Sequence, residues 1–130
     1  MYKVFISHSS KDTWVAKQIQ AHLKKLGVQT FLDEGHIEYG DDFESVIFSE
    51  LKTCDELLVL LTPWALERPF IYMEIGAARI NDLRIIGVLH GITFDQLNST
   101  PGYPITLKKY LSVEINNMDA YFEQLKNRAK

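Results

Sequence analysis

Residues 56–62, ELLVLLT, decide the fold of this chain because they form its most continuous apolar run. A short, unbroken apolar run of this kind predicts a β-strand. It lacks the alternation of a half-exposed strand, which is typical of the middle of a parallel sheet that is covered on both faces. Parallel strands need crossover connections, usually helices, so strands and helices should alternate on either side of this run.

The rest of the chain follows that alternation. Val15, Ile19, Leu23 and Leu26 recur at helical spacing, and Gly27 supplies a C-cap. The predicted elements are, in chain order, a strand at 2–7, a helix at 13–27, a strand at 28–33, a helix at 43–54, the strand at 56–62, a helix at 70–82, a strand at 84–90, a loop region, a weak strand around 109–113 and a helix from about 118. They predict an α/β fold, a flavodoxin-like five-stranded parallel sheet of order 2-1-3-4-5 with helices on both faces.

The composition indicates one globular domain spanning 1–130, with 46% hydrophobic and 24% charged residues. The net charge of −3 gives no footprint for nucleic acid or an anionic membrane, and no apolar run is long enough to span a bilayer. No secretory leader precedes the first strand, so we expect a cytoplasmic domain that opens its protein. Cys54 is the single cysteine and is interpreted as a packing residue. The four histidines are scattered, so no metal site is expected.

The predicted topology locates a ligand site. In open α/β sheets, ligands bind beyond the carboxyl ends of the strands, where the winding direction reverses. For this strand order the reversal lies between the first and third strands. The loops that flank it are SHSSKD (7–12) and TPWALERPF (62–70).

The helix that follows this second loop contains an isolated carboxylate. Glu74 lies in RPFIYMEIGAARI (68–80), among apolar residues and just before three small ones. At 100° per residue, Ile71, Ile75 and Ala78 form the buried stripe, while Glu74 and Phe70 form an i,i+4 pair on its flank. Two interpretations stay open: a solvated glutamate favoured by the helix dipole, or a carboxylate in a partly apolar pocket, available for chemistry on a sugar-like substrate.

The first loop also allows two interpretations. Ser9 and Asp12 have the spacing of a capping box, so Ser9 has a purely structural explanation. Exposed amides at the same helix start could hold a phosphate. Lys11 is interpreted as a surface residue. The chain has neither GxGxxG nor GxxxxGK[ST], which excludes a dehydrogenase fingerprint and a nucleotide-hydrolysing P-loop.

Three stretches together resemble a Toll/interleukin-1 receptor (TIR) domain of the bacterial, NAD-cleaving type. VFISHSSKD (4–12) resembles the family's first strand and turn. FLDEGHIEYGDDFESVI (31–47) resembles the second strand, the BB loop and the next helix, and LLVLLTPWALERPFIYMEIGAA (57–78) resembles the third strand and the helix that bears the catalytic Glu. The stretches occur in the family's order and spacing. The resemblance covers nearly all of the chain and is weakest after residue 92.

The resemblance implies roles for individual residues. Glu74 matches the catalytic Glu, and Phe70 stands where NAD-cleaving members often have the Trp of a WxxxE pattern. This departure keeps an aromatic face but loses the indole N–H. The implied substrate-binding residues are His8, Ser9, Asp33 and Phe70. The implied assembly loop is the BB loop (33–42), with Ile37, Tyr39 and Gly40.

The resemblance implies an NAD⁺ nucleosidase or cyclase that cleaves the nicotinamide–ribose bond and produces ADP-ribose or a cyclic ADP-ribose-type signal, in bacterial antiphage defence. NAD⁺ is then a substrate, no cofactor is expected, and the partners are other TIR domains that join in an oligomer or filament. Two alternatives stay open: a non-catalytic adaptor that binds other TIR domains, and a nucleoside deoxyribosyltransferase-like enzyme. A receiver domain is excluded, because FISHSS and LLTPW lack its acidic residues.

Overall fold

The structure is a computed structural model of the 130-residue chain, and it describes residues 1–32, 40, 42–101 and 112–130. The helices and strands alternate as the sequence predicts. In chain order they are β1 (Lys3–Ser7), α1 (Thr13–Lys25), β2 (Gln29–Leu32), α2 (Phe43–Thr53), β3 (Glu56–Leu61), α3 (Pro69–Ile80), β4 (Arg84–Leu89), α4 (Phe94–Asn98), β5 (Val113–Glu114) and α5 (Met118–Arg128). The predicted boundaries differ from these by a few residues at most of the helix and strand ends.

The five strands form one sheet of order β2-β1-β3-β4-β5, and all of its neighbouring pairs are parallel. The predicted fold class is therefore confirmed. β3 lies in the middle, and all of its residues are buried. Ser7, the last residue of β1, pairs with Val59 of β3. The chain thus reverses its winding direction between β1 and β3, as the sequence indicates.

Alternate residues along each central strand enter two separate cores, because successive side chains of a strand point to opposite faces. Phe5 packs in the core under α2 and α3, while Val4 and Ile6 pack in the core under α1 and α5. Ser7 therefore lies on the same face of the sheet as Phe5. That face carries α3, the helix that contains Glu74.

The ends of the elements follow the local sequence. Gly27 adopts a φ of +79° just after α1, the left-handed conformation that the predicted C-cap requires. The region between β4 and β5, predicted as loop, contains the short helix α4. Thr93 and Gln96 form a reciprocal capping box at its start, which stabilises a helix that the apolar periodicity does not reveal.

None of the helices described at 1–32, 40, 42–101 and 112–130 could serve as a membrane span. The described part of the chain also contains no group of three or more His, Cys, Asp or Glu residues placed to hold a metal ion.

Candidate active site

Glu74 lies on the buried side of α3. Its side chain is 1% exposed, as are those of Ile71 and Ile75 in the same stripe. The Oγ of Ser7 donates a hydrogen bond of 3.1 Å to Glu74 Oε1. The interpretation of Glu74 as a solvated helix residue is therefore wrong, and its predicted position on a helix flank is corrected to the sheet-facing side.

A buried carboxylate needs compensation for its lost hydration, since removing a charge from water without partners costs several kcal/mol or more. Ser7 supplies a hydroxyl from the last position of β1, which is the carboxyl edge of the sheet. The pair thus joins the first strand to α3 beside the point where the winding reverses. An acidic side chain kept in such a place is a candidate for chemistry rather than for solubility.

The loop after β1 buries both of its predicted binding residues. His8 and Ser9 are almost fully enclosed. The Oγ of Ser9 accepts a hydrogen bond from the backbone N–H of Lys11 and so caps the short 3₁₀ turn of residues 10–12. Ser9 therefore has the capping role that its spacing allows. The predicted capping box with Asp12 is not formed, because the Asp12 carboxylate accepts a hydrogen bond from Thr62 instead.

Two hydrogen bonds tie the loop after β1 to the loop after β3. Thr62 Oγ1 donates to Asp12 Oδ2 at 2.6 Å, and it accepts from the backbone N–H of Ala65 at 3.1 Å. Arg68 Nη1 donates to the backbone carbonyl of His8 at 3.0 Å. These contacts hold the two walls of the predicted crevice together.

Phe70 lies one turn before Glu74, and its ring is partly buried. The ring packs against Phe43 at the start of α2, with the two centroids 4.8 Å apart. This contact gives Phe70 a packing role between α2 and α3. A role in lining a ligand pocket stays a prediction.

The predicted BB loop is only partly within the described residues. Gly40 is exposed and has a φ of +92°, a conformation in which a larger side chain would be strained. Asp33, Ile37 and Tyr39 lie outside the described residues, so their predicted roles stay predictions.

Cys54 lies away from this site, directly after α2. Its thiol is buried, and burial raises its pKa to about 11. A thiol with that pKa is protonated at neutral pH and is a poor nucleophile. The interpretation of Cys54 as a packing residue agrees with this environment.

The site contains residues that the sequence reasoning missed. Ser7, Thr62 and Arg68 lie in or beside the flanking loops, and their sequence pattern predicts no role for them. The position of Ser7 could have been predicted, because Phe5 is buried against the helices of one face and a residue two positions later points the same way. The contact of Arg68 with a backbone carbonyl has no comparable signal in the sequence.

Comparison with known proteins identifies the family. A sequence profile for the TIR domain matches residues 4–126, nearly the whole chain. The chain belongs to the TIR domain family. Among curated proteins, none has a sequence that matches this chain significantly.

Solved structures show how widely this TIR fold is shared. The TIR domain of the Toll-related receptor TRR-2 from Hydra magnipapillata is 17% identical, with a TM-score of 0.74 over 98% of this chain and 94% of that one. The TIR domains of the activated Roq1 resistosome, which directly recognises the pathogen effector XopQ, are 17% identical, with a TM-score of 0.67 over 97% of this chain and 78% of that one.

The structure of a solved enzyme also has a similar fold. The 2-desoxiribosyltransferase from Leishmania mexicana is 14% identical, with a TM-score of 0.74 over 98% of both chains. Likeness at this identity describes the fold alone and assigns no activity to the chain. The chemistry has to be argued from Glu74 and its surroundings.

Proposed function

We propose that this TIR domain is an NAD⁺ nucleosidase, with Glu74 as its catalytic residue. The burial and the position of Glu74 support this proposal. A carboxylate that is 1% exposed accepts a hydrogen bond from Ser7 at the carboxyl edge of the sheet, beside the reversal of winding. This is the edge at which open α/β sheets bind ligands. The same glutamate is the residue that the family resemblance marks as catalytic.

One carboxylate suits the cleavage of a nicotinamide–ribose bond. Nicotinamide leaves NAD⁺ as a neutral molecule, so it needs no general acid to protonate it. The ribose that remains has oxocarbenium character, as in the cleavage of other glycosidic bonds. A preorganised negative charge stabilises that developing positive charge, and the Ser7 hydroxyl fixes the orientation of one carboxylate oxygen.

The attacking group sets the product. Water gives ADP-ribose, and an internal nucleophile of the dinucleotide gives a cyclic form. Either product is a diffusible signal, which fits a role in bacterial antiphage defence in the cytoplasm. NAD⁺ is consumed as a substrate in this reaction, and the reaction itself requires no further cofactor. The partly buried ring of Phe70 would exclude water on the side of α3 that faces α2.

In this conformation Glu74 is almost sealed from solvent, so the residues above it must move before a substrate enters. Self-association supplies a reason for such a movement. We propose that the BB loop of one copy, through Ile37 and Tyr39, docks on the next copy and completes the site. A head-to-tail contact of this type need not close into a ring and can grow into a filament.

The test is incubation with NAD⁺ over a wide series of protein concentrations, with the products identified by mass spectrometry. We expect nicotinamide together with ADP-ribose or a cyclic isomer, and a specific activity that rises with protein concentration. Ile37→Asp should suppress that rise without unfolding the domain.

A parallel incubation with a deoxyribonucleoside and a free base tests the deoxyribosyltransferase alternative. Base exchange without NAD⁺ cleavage would replace the proposal with a transferase. No product from either substrate at any concentration would leave a domain that only binds other TIR domains. If the specific activity of the wild type and of Ile37→Asp does not change with protein concentration, the proposed self-association is wrong, but the proposed NAD⁺ cleavage is not affected.

A further inference from the structure

Arg68 contacts both of the loops that flank the candidate site. It is the residue before α3, with an extended backbone (φ −102°, ψ 108°), and its side chain is partly buried. Its Nη1 donates to the carbonyl of His8 across the crevice, at 3.0 Å. The guanidinium therefore lies between the loop after β1 and the loop after β3. Ligands of open α/β sheets bind between these two loops.

The positive charge of Arg68 is not neutralised by the described part of the chain. The ion pairs Lys3–Glu50 and Arg128–Glu56 do not involve it, and no carboxylate of the described residues forms an ion pair with the Arg68 guanidinium. A guanidinium has five N–H donors, and the contact with His8 is to a neutral carbonyl. With respect to the described residues, the group thus keeps both its charge and its remaining donors for an anion.

We infer that Arg68 recognises the diphosphate of the substrate, an inference that rests on the NAD⁺ cleavage proposed above. A guanidinium binds phosphate oxygens by charge-assisted, often bidentate hydrogen bonds, which are roughly twice as strong as those to a neutral acceptor. The diphosphate therefore competes well with the His8 carbonyl for Arg68.

The spacing agrees with the order of groups in a dinucleotide. Pro69, the first residue of α3, and Glu74 are separated by about 7.5 Å of rise along the helix axis, and Arg68 directly precedes Pro69. One ribose together with a flexible arginine side chain can span such a distance. The anionic end of the substrate then stays at the mouth of the crevice, while the nicotinamide–ribose bond reaches the buried carboxylate.

Two substrates separate this role from that of a structural tie. NAD⁺ has the diphosphate, whereas nicotinamide riboside has the same scissile bond without any phosphate. In Arg68→Gln, kcat/KM for NAD⁺ should fall about 10-fold to 100-fold, mainly through KM, because a charge-assisted contact is lost. Cleavage of nicotinamide riboside should stay within about 2-fold of wild type, since that substrate never uses the contact. Arg68→Lys should recover part of the loss.

Arg79→Gln is the matched control, because Arg79 is exposed in the last turn of the same helix, at the end far from the crevice. It should leave both substrates unaffected. An equal fall for both substrates in Arg68→Gln, together with a lower melting temperature, would overturn the inference and leave Arg68 as a tie between loops. Activity unchanged for both substrates would overturn it as well.

A binding measurement keeps this inference separate from the proposed reaction. Titration calorimetry with ADP-ribose reports the diphosphate contact without any turnover. Binding to the wild type that weakens at least about 10-fold in Arg68→Gln supports the role of Arg68 even if NAD⁺ is not cleaved. Equal affinity in the two proteins, or no binding to either, would overturn it.

Discussion

Glu56 and Glu74 are both buried carboxylates, but they lie at opposite edges of the sheet. Glu56 begins β3 and is fully enclosed at the amino edge. It accepts hydrogen bonds from the hydroxyls of Tyr2 (2.7 Å) and Tyr121 and from the guanidinium of Arg128 (2.9 Å). These partners come from the N-terminus and from α5, so the cluster fastens both to the central strand.

Glu74 accepts a hydrogen bond from the hydroxyl of Ser7 at the carboxyl edge, where the loops of a parallel sheet form ligand sites. Because both carboxylates are buried, burial alone does not identify the functional one. A guanidinium neutralises Glu56 and fixes it in the packing, which is a structural arrangement. Glu74 lies beside the crevice and accepts a hydrogen bond from Ser7, a position that suits the role proposed for it in stabilising a cationic ribose.

The largest effect should come from breaking the amino-edge cluster. Glu56→Ala removes the charge that its three partners share, and loss of one member of a buried pair costs about 3–5 kcal/mol. Chemical denaturation would measure the change in the free energy of unfolding. Glu50→Ala is the control, because its 2.9 Å ion pair with Lys3 is partly exposed and should cost about 1 kcal/mol or less. Equal losses in the free energy of unfolding of the two variants would show that the Glu56 cluster does not stabilise the fold more than a surface ion pair does.

A smaller effect is expected from Ser7→Ala at the carboxyl edge. It removes the hydroxyl that orients Glu74, and a hydrogen bond to a charged group contributes about 1.5–3 kcal/mol. We expect kcat for NAD⁺ cleavage to fall at least about 10-fold. Ser9→Ala is matched to it, since Ser9 is also buried but its hydroxyl caps a turn instead. A fall in kcat that is the same in both variants would argue against a specific role for Ser7.

The smallest effect is a pH dependence at the amino edge. Burial, and then the hydrogen bond to Glu56 and the charge of that carboxylate, raise the pKa of Tyr2 from 10.0 to about 12. The same causes raise the pKa of Tyr121. Because the folded pKa lies above the unfolded one, the contribution of Tyr2 to stability is complete below pH 10 and is lost as the pH rises through about 12.

The free energies of unfolding of the wild type and of Tyr2→Phe, measured between pH 8 and pH 12, test this effect. The advantage of the wild type should stay constant up to about pH 10 and shrink above it, as the linkage of ionisation to folding requires. A difference that does not change with pH would mean that folding does not raise the pKa of Tyr2.

The fold was predictable because its signals are local. Continuous apolar runs indicate strands buried on both faces, and helical stripes indicate the helices between them. The sequence leaves the burial of Glu74 open, because a carboxylate counts as polar in such a pattern, and the hydroxyl that donates a hydrogen bond to it lies 67 residues away in sequence. The Glu56 cluster joins residues separated by 54, 65 and 72 positions, and no local pattern encodes such contacts.

The candidate site was therefore predicted in its location but not in all of its residues. Topology placed it between β1 and β3, and the family resemblance selected Glu74. By contrast, the hydrogen bond between Thr62 and Asp12 and the contact between Arg68 and His8 depend on the detailed course of two loops. Tertiary packing determines loop geometry of this kind, and the spacing of apolar residues does not predict it.

The most direct measurement compares Glu74→Gln with Glu56→Gln in NAD⁺ cleavage, at high protein concentration and at a temperature where both remain folded by circular dichroism. Both changes keep the side-chain volume and remove one buried charge. Glu74→Gln should lower kcat by about 10²–10³-fold, because a neutral amide does not stabilise an oxocarbenium ion. Glu56→Gln should melt at a lower temperature yet keep most of its activity. Full turnover in Glu74→Gln, or loss of activity only in Glu56→Gln, would contradict the assignment of Glu74 as the catalytic residue.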